Sequence, residues 1–148
     1  MNIAFVGCGF VFDIYMRTFR AHPELIVVGV FDVNPDRMAR VKDYYGFATF
    51  STYEDLLSDP SVDAVINLTN IGSHFEVSRR ALEAGKHVYS EKPLTRSLEQ
   101  SKTLTDLAAA RGSSDGIVRL LAIGSVVPRK GYDVLIQALA TLSEDRKS

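Results

Sequence analysis

The stretch IAFVGCGFVF, residues 3–12, decides the fold class of this chain. It opens with four apolar residues, which are typical of a buried strand, and continues with Gly7 and Gly9. After the glycines, apolar side chains recur at helical spacing at Phe12, Tyr15, Met16 and Phe19. The sequence therefore predicts a strand that turns through a glycine loop into an amphipathic helix.

The same alternation of apolar runs and amphipathic segments continues along the chain. Further strands are predicted at residues 25–31, 47–50, 64–68, 87–90 and 118–123. Helix starts are predicted at Asn34-Pro35, at Ser51 with Glu54, at Ser73 with Glu76, and at Ser97 with Gln100. Because strands that alternate with helices form parallel sheets, we expect an α/β fold. It would be a doubly wound Rossmann sheet of about six strands in the order 3-2-1-4-5-6, with helices on both faces.

Composition limits the class of partner. The chain has 148 residues, which fit a single domain over 1–148, and 17 basic against 18 acidic residues leave a formal net charge of -1. This balance disfavours nucleic acid as a partner, and no apolar run is long enough to span a membrane. One cysteine and the lack of a basic N-terminal leader favour a cytoplasmic protein. No residue is assigned to a metal site.

The glycine loop has the composition of an anion site. Glycine at positions 7 and 9 permits positive φ and lets a pyrophosphate approach the backbone closely. The N–H groups of Phe10 and Val11 would then face the anion at the start of the helix, where the helix dipole also favours negative charge. We therefore predict that Gly7, Gly9, Phe10 and Val11 bind the pyrophosphate of a dinucleotide.

Asp32 ends the second predicted strand, about twenty residues after the loop, where a carboxylate can bind the ribose 2'-hydroxyl. A carboxylate at this position repels a 2'-phosphate, so NAD is the favoured cofactor. The nearby Arg37 could attract that phosphate and keeps NADP as the alternative.

Phe12 departs from the dinucleotide-binding pattern, which has glycine or alanine at this third position so that the helix packs closely on the strand. The favoured interpretation is that Phe12 fills core space at the cost of a small shift of the helix. Weakened cofactor binding is the alternative.

Four strings together resemble the Gfo/Idh/MocA family of oxidoreductases, from residue 1 to about residue 112. They are GCGFVF at 7–12, VGVFD at 28–32, LTNIGSH at 68–74 and AGKHVYSEKPL at 84–94. The resemblance implies a Rossmann domain followed by an open-faced β-sheet domain. It also implies hydride transfer between a nicotinamide cofactor and a carbon of a sugar or cyclitol.

In this resemblance, the family's Glu-Lys-Pro motif corresponds to Glu91, Lys92 and Pro93. It implies that Glu91 lies near the nicotinamide ribose and that Lys92 is the catalytic residue near the reacting hydroxyl, while Pro93 sets the turn. The residues themselves support this role, because a lysine at the carboxyl end of a strand lies beside the crevice where such sheets bind ligands.

The loop LTNIGSH resembles the family's Thr-Pro-x-x-x-His loop, with Asn70 in place of the proline. By this resemblance Leu68, Thr69, Asn70 and His74 contact the ribose and nicotinamide side of the cofactor. For His74, the alternative is that it only caps the following helix.

The remaining part, 113–148, resembles a different family. Its string RLLAIGSVVPRKGYDVLIQALATL, residues 119–142, is similar to the start of the nucleotide-binding domain of GT-B glycosyltransferases, and that family's phosphate-binding lysine corresponds to Lys130. We expect this part to add a strand and a helix to the sheet. If residues 118–123 do not join it, the exposed edge favours association into a homo-oligomer.

Three hypotheses of function follow. The first is an NAD-dependent oxidoreductase module for a sugar or polyol, which we expect to bind cofactor without turnover because the family's second domain is missing from this chain. The second is a non-catalytic chimera or scaffold with a Rossmann fold. The third is a glycosyltransferase fragment that binds a nucleotide sugar.

Overall fold

The computed structural model describes residues 1–19, 21–111 and 121–122, which form alternating strands and helices. The strands are β1 (Asn2–Val6), β2 (Ile26–Phe31), β3 (Ala64–Asn67), β4 (His87–Ser90) and β5 (Leu121–Ala122). The helices are α1 (Phe10–Phe19), α2 (Pro35–Tyr45), α3 (Tyr53–Ser58), α4 (His74–Glu83) and α5 (Leu98–Arg111).

The described strands form one parallel sheet in the order β2-β1-β3-β4-β5. This confirms the predicted doubly wound sheet, with one correction at its edge. The strand predicted at 47–50 is only a single parallel bridge between Thr49 and Val30, because the chain enters α3 soon afterwards. Of the strand predicted at 118–123, Leu121 and Ala122 pair with β4, and the other residues lie outside the described ones, as does the helix predicted after them.

Helices cover both faces of the sheet, as predicted. Along β1, Ile3 and Phe5 pack in the cluster with α1 and α2, while Ala4 and Val6 pack in the cluster with α3 and α4. This alternation follows from the two-residue period of a strand. Within the part of the chain that the structure describes, no helix is both long enough and apolar enough to cross a bilayer.

Phe12 fills the core, as predicted. Its side chain is 0% exposed and makes edge-to-face contacts with Phe5 and Tyr45, at centroid distances of 5.3 Å and 5.6 Å. Such aromatic pairs stabilise a core beyond the area they bury. The large side chain at the third position of the loop therefore anchors α1 to the sheet.

The start signal at Asn34 and Pro35 is confirmed, since Asn34 Oδ1 accepts a hydrogen bond of 2.9 Å from Asp36 N and Pro35 is the first helical residue. Ser97 is also placed as predicted, because its Oγ accepts from Gln100 N at 3.2 Å. Gly46, with φ of 73°, ends α2.

Two predicted capping boxes are wrong. In α3 the box is formed by Thr52 and Asp55, one residue later than the predicted Ser51 and Glu54. The reason is that Thr52 has the extended backbone of the residue that precedes the helix. Ser73 does precede α4, but its backbone is already helical and its side chain makes no capping hydrogen bond. The pattern S-x-x-E alone does not fix that backbone conformation.

Candidate functional site

The carboxyl ends of four strands lie at the same level of the sheet. Val6 pairs with both Phe31 and Asn67, and Asn67 pairs with Ser90, so the loops that follow β1, β2, β3 and β4 leave one common edge. The predicted site residues Gly7, Asp32, Leu68 and Glu91 each come directly after one of these strands. Doubly wound sheets bind their ligands at this edge, in the crevice where the strand order reverses.

Gly7 is the point where the glycine loop touches the loop after β3. Its φ is 96°, and its N–H donates to Phe31 O at 2.9 Å. A Cβ at this position would lie 2.7 Å from the carbonyl carbon of Leu68 and 2.8 Å from Thr69 N. Side chains avoid such contacts with backbone, so Gly7 is required by the fold itself.

Gly9 has open space above it. Among the described residues, a Cβ here would have one neighbour within 4 Å, the Arg37 guanidinium at 3.8 Å, and Gly9 is not among the glycines with positive φ. The first hydrogen bond of α1 runs from Asp13 N to Gly9 O at 3.4 Å, so the amides of Phe10 and Val11 precede it. They belong to the N-terminal N–H groups that have no partner within a helix. The Phe10 side chain is 75% exposed beside them.

Asp32 ties the loop after β2 to the glycine loop. Its side chain accepts from Cys8 N at 2.7 Å and from Asn34 N at 2.8 Å, and the residue is only 5% exposed. Arg37 places a nitrogen 3.6 Å from the same carboxylate and is half-exposed. Asp32 thus orients the glycine loop, while Arg37 brings positive charge to the outside of that loop.

Cys8 is a buried spacer within the glycine loop. Burial, helped by the nearby Asp32 carboxylate, raises the pKa of its thiol to about 12. A thiol that stays neutral is a poor nucleophile, and its role here is that of a small side chain that fits.

Arg40 is a residue of this site that the sequence analysis missed. It donates through Nη2 to Cys8 O at 3.0 Å and through Nη1 to both carboxylate oxygens of Asp13 at 3.0 Å. The hydrogen bonds to Asp13 raise the pKa of Arg40 above its ordinary value. The available signal was its spacing from Arg37, since residues three apart lie on the same face of α2.

The loop after β3 is built largely from its own side chains. The Leu68 side chain is buried in the core, and its N–H donates to Val6 O at 2.8 Å. Asn67 Oδ1 accepts from Thr69 Oγ1 at 2.7 Å and from Thr69 N at 3.2 Å. Asn70 Oδ1 accepts from Gly72 N at 3.0 Å, which closes a turn at the position of the family's proline. Leu68 therefore faces the edge only with its backbone, whereas Asn70 is exposed there.

His74 joins the loop after β3 to the loop after β4. Its Nδ1 lies 2.7 Å from Pro93 O and its Nε2 lies 3.0 Å from Thr69 O, and the residue is 2% exposed. A neutral imidazole carries one N–H group, which can donate to one of these two carbonyl oxygens. The ring therefore holds two backbone segments together and does not present its nitrogens to the crevice.

Glu91, Lys92 and Pro93 follow β4 at the same edge. The Glu91 N–H donates to Asn67 O at 3.0 Å, and Glu91 Oε2 accepts from Lys92 N at 2.9 Å. Lys92 Nζ lies 4.0 Å from that oxygen and its side chain is 48% exposed. The Lys92–Pro93 peptide bond is cis. The ammonium group of Lys92 is thus beside the crevice and paired loosely with Glu91.

Tyr15 is a second missed residue. The sequence analysis assigned it to the apolar face of α1, yet its hydroxyl donates to Glu91 Oε1 at 3.0 Å. The hydroxyl of Tyr89, on β4, lies 2.9 Å from that of Tyr15. No sequence signal marks this contact, because it depends on how α1 crosses the sheet. Among the described residues, no three His, Cys, Asp or Glu side chains are grouped to hold a metal ion.

Comparison with known proteins identifies the family of this chain. The model of the oxidoreductase family GFO_IDH_MocA, with an NAD-binding Rossmann fold, matches residues 1–115. The uncharacterized oxidoreductase YhhX of Escherichia coli is 42% identical over 122 residues, which cover 76% of this chain and 33% of that protein. The inositol 2-dehydrogenase/D-chiro-inositol 3-dehydrogenase of Lactiplantibacillus plantarum is 30% identical over 126 residues, covering 83% of this chain and 35% of that protein.

A solved structure agrees with this assignment. The WlbA dehydrogenase from Bordetella pertussis, in complex with NADH and UDP-GlcNAcA, matches with a TM-score of 0.73 and 27% identity. The match covers 82% of this chain and 36% of that one. The chain spans about a third of the length of the curated relatives it matches.

Proposed function

This chain belongs to the Gfo/Idh/MocA oxidoreductases with an NAD-binding Rossmann fold, and from that premise we propose that its sheet edge binds a nicotinamide dinucleotide. One observation carries the proposal: the space above Gly9 is open at the N-terminus of α1, between Asp32 on one side and Glu91 on the other. A pyrophosphate fits this combination, because it needs free backbone N–H groups, close approach and the positive end of a helix.

The order of the strands supports an assignment of the two halves of the cofactor. Asp32 follows β2, on one side of the glycine loop, and would be the ribose-binding carboxylate of the adenosine half. Thr69, Asn70 and Glu91 follow β3 and β4, on the other side, and would hold the nicotinamide half. The amides of Phe10 and Val11 would bind the pyrophosphate between them.

Lys92 is the residue that we propose for proton transfer. When bound, the cofactor supplies hydride chemistry, and a hydroxyl that is oxidised must also lose a proton. The half-exposed side chain of Lys92 lies beside the proposed nicotinamide side of the crevice. There Nζ could donate a proton to the substrate oxygen as an ammonium during reduction, and accept one as the neutral amine during oxidation. A sugar or cyclitol is the proposed substrate class, as the relative from Lactiplantibacillus plantarum is an inositol dehydrogenase.

Substrate recognition and turnover are not assigned to the described residues. The chain spans about a third of its relatives, so we propose cofactor binding by this chain and catalysis only together with the substrate domain that the family resemblance implies. A cytoplasmic location, a homo-oligomeric state and the glycosyltransferase-like origin of residues 113–148 stay predictions.

NADH should bind the chain more tightly than NADPH. The carboxylate of Asp32 repels a 2'-phosphate and Arg37 offsets this only in part, so we expect a preference of about tenfold. Calorimetric titration with NADH, NADPH and a nucleotide sugar measures this preference. Arg37→Ala should widen it by lowering the affinity for NADPH further. Equal or tighter NADPH binding would contradict the assignment of Asp32. Binding of the nucleotide sugar alone would favour the glycosyltransferase hypothesis.

A further inference from the structure

Two tyrosine hydroxyls form a hydrogen-bonded chain that ends on Glu91. Glu91 Oε1 lies 3.0 Å from the Tyr15 hydroxyl, which lies 2.9 Å from the Tyr89 hydroxyl. The two rings also pack edge-to-face, with centroids 6.1 Å apart and an interplanar angle of 79°. The chain therefore connects α1 to β4 and to the first residue after it.

The direction of the hydrogen bonds follows from the groups involved. An ionised carboxylate has no hydrogen to donate, so Tyr15 donates to Glu91 and Tyr89 is then the donor to Tyr15. Burial raises the pKa of both tyrosines, and for Tyr15 the nearby Glu91 carboxylate adds to this effect. Both hydroxyls thus remain protonated, which keeps the chain of donors intact.

Each oxygen of the Glu91 carboxylate accepts a hydrogen bond. Oε1 accepts from Tyr15, and Oε2 accepts from the backbone N–H of Lys92 at 2.9 Å. In the part of the chain that the structure describes, the Tyr15–Glu91 bond is the one side-chain hydrogen bond between α1 and the loop after β4. The helix whose N-terminus would hold the pyrophosphate is thereby linked to the carboxylate on the nicotinamide side.

We propose that Tyr15 is a positioning residue that fixes the Glu91 carboxylate for binding of the nicotinamide ribose. This inference rests on the proposed function, because it assigns a cofactor half to the Glu91 side of the crevice. A carboxylate held by two donors needs little reorientation when a ribose hydroxyl arrives, and such preorganisation increases affinity. Tyr89 supports the orientation of Tyr15 from β4.

The test is Tyr15→Phe, titrated with NADH and with ADP. Phenylalanine keeps the ring and its contact with Tyr89 but removes the hydroxyl. We expect the affinity for NADH to fall about fivefold, while the affinity for ADP, which lacks the nicotinamide ribose, stays unchanged. The same substitution in a Glu91→Ala background should have no further effect on NADH, because the two residues act as one unit.

A matched control is Tyr53→Phe. The Tyr53 hydroxyl donates to Val77 O at 2.7 Å on the opposite face of the sheet, so its removal should affect stability and leave NADH affinity unchanged. The positioning role is overturned if Tyr15→Phe binds NADH with the wild-type affinity, or if its affinity for ADP falls as much as its affinity for NADH. If the wild type binds neither NADH nor ADP, the proposed function itself fails, which is a separate result.

Discussion

Gly7→Ala should lower the free energy of unfolding by about 3 to 5 kcal/mol, because alanine at this position would have both a strained φ and a clash with the backbone. The added Cβ would lie 2.7 Å from the carbonyl carbon of Leu68 and 2.8 Å from Thr69 N, at a φ of 96°. This segment is held by hydrogen bonds, because Leu68 N donates to Val6 O at 2.8 Å and Thr69 N donates to Asn67 Oδ1 at 3.2 Å. Urea denaturation followed by circular dichroism measures the change.

Gly46→Ala is the matched control for this prediction. Gly46 also has a positive φ, 73°, but a Cβ there would have none of the described residues within 4 Å. Alanine should therefore cost only the backbone preference, about 1 kcal/mol. If the two variants lose the same stability, the close approach of the glycine loop to Leu68 is wrong.

His74→Phe should destabilise the chain by about 2 to 4 kcal/mol, because it removes the ring nitrogens that contact the carbonyls of Thr69 and Pro93 while keeping a ring of similar shape. These two carbonyls lie 3.0 Å and 2.7 Å from the ring nitrogens of a residue that is 2% exposed. Since the same contacts align the loops after β3 and β4, NADH affinity should fall as well. Urea denaturation and calorimetry measure the two effects.

His87→Ala serves as the control for His74, since His87 is exposed at the start of β4. Surface substitutions of this kind usually change stability by no more than about 0.5 kcal/mol. Finding His74→Phe as stable and as active in NADH binding as this control would show that the ring does not hold the two loops.

Local sequence signals predicted most of the fold. Few other folds combine a buried strand, a glycine loop, an amphipathic helix and a following Asp32 at these spacings. Strand order then followed from the preference for right-handed crossovers. The burial of Phe12 was also predictable, because the residue lies on the apolar face of α1.

Local sequence patterns do not predict the tertiary contacts of the site. The Tyr15–Glu91 hydrogen bond spans 76 positions, and the His74–Pro93 contact joins two loops whose separation no local pattern fixes. Asp32 was predicted as a ribose ligand, but its bond to Cys8 N gives it a structural role too. The capping box of α3 was misplaced by one residue because both Ser51 and Thr52 are suitable caps.

Titration of Gly9→Ala with NADH tests the central claim, binding of a dinucleotide pyrophosphate against the glycine loop. The added methyl group would enter an open space in which, within the described part of the chain, Arg37 Nη1 at 3.8 Å is the one atom found within 4 Å. The free energy of unfolding should therefore change by less than about 1 kcal/mol. NADH affinity should nevertheless fall at least about tenfold, because the pyrophosphate can no longer approach the backbone. An unchanged NADH affinity in a folded Gly9→Ala chain would contradict the account.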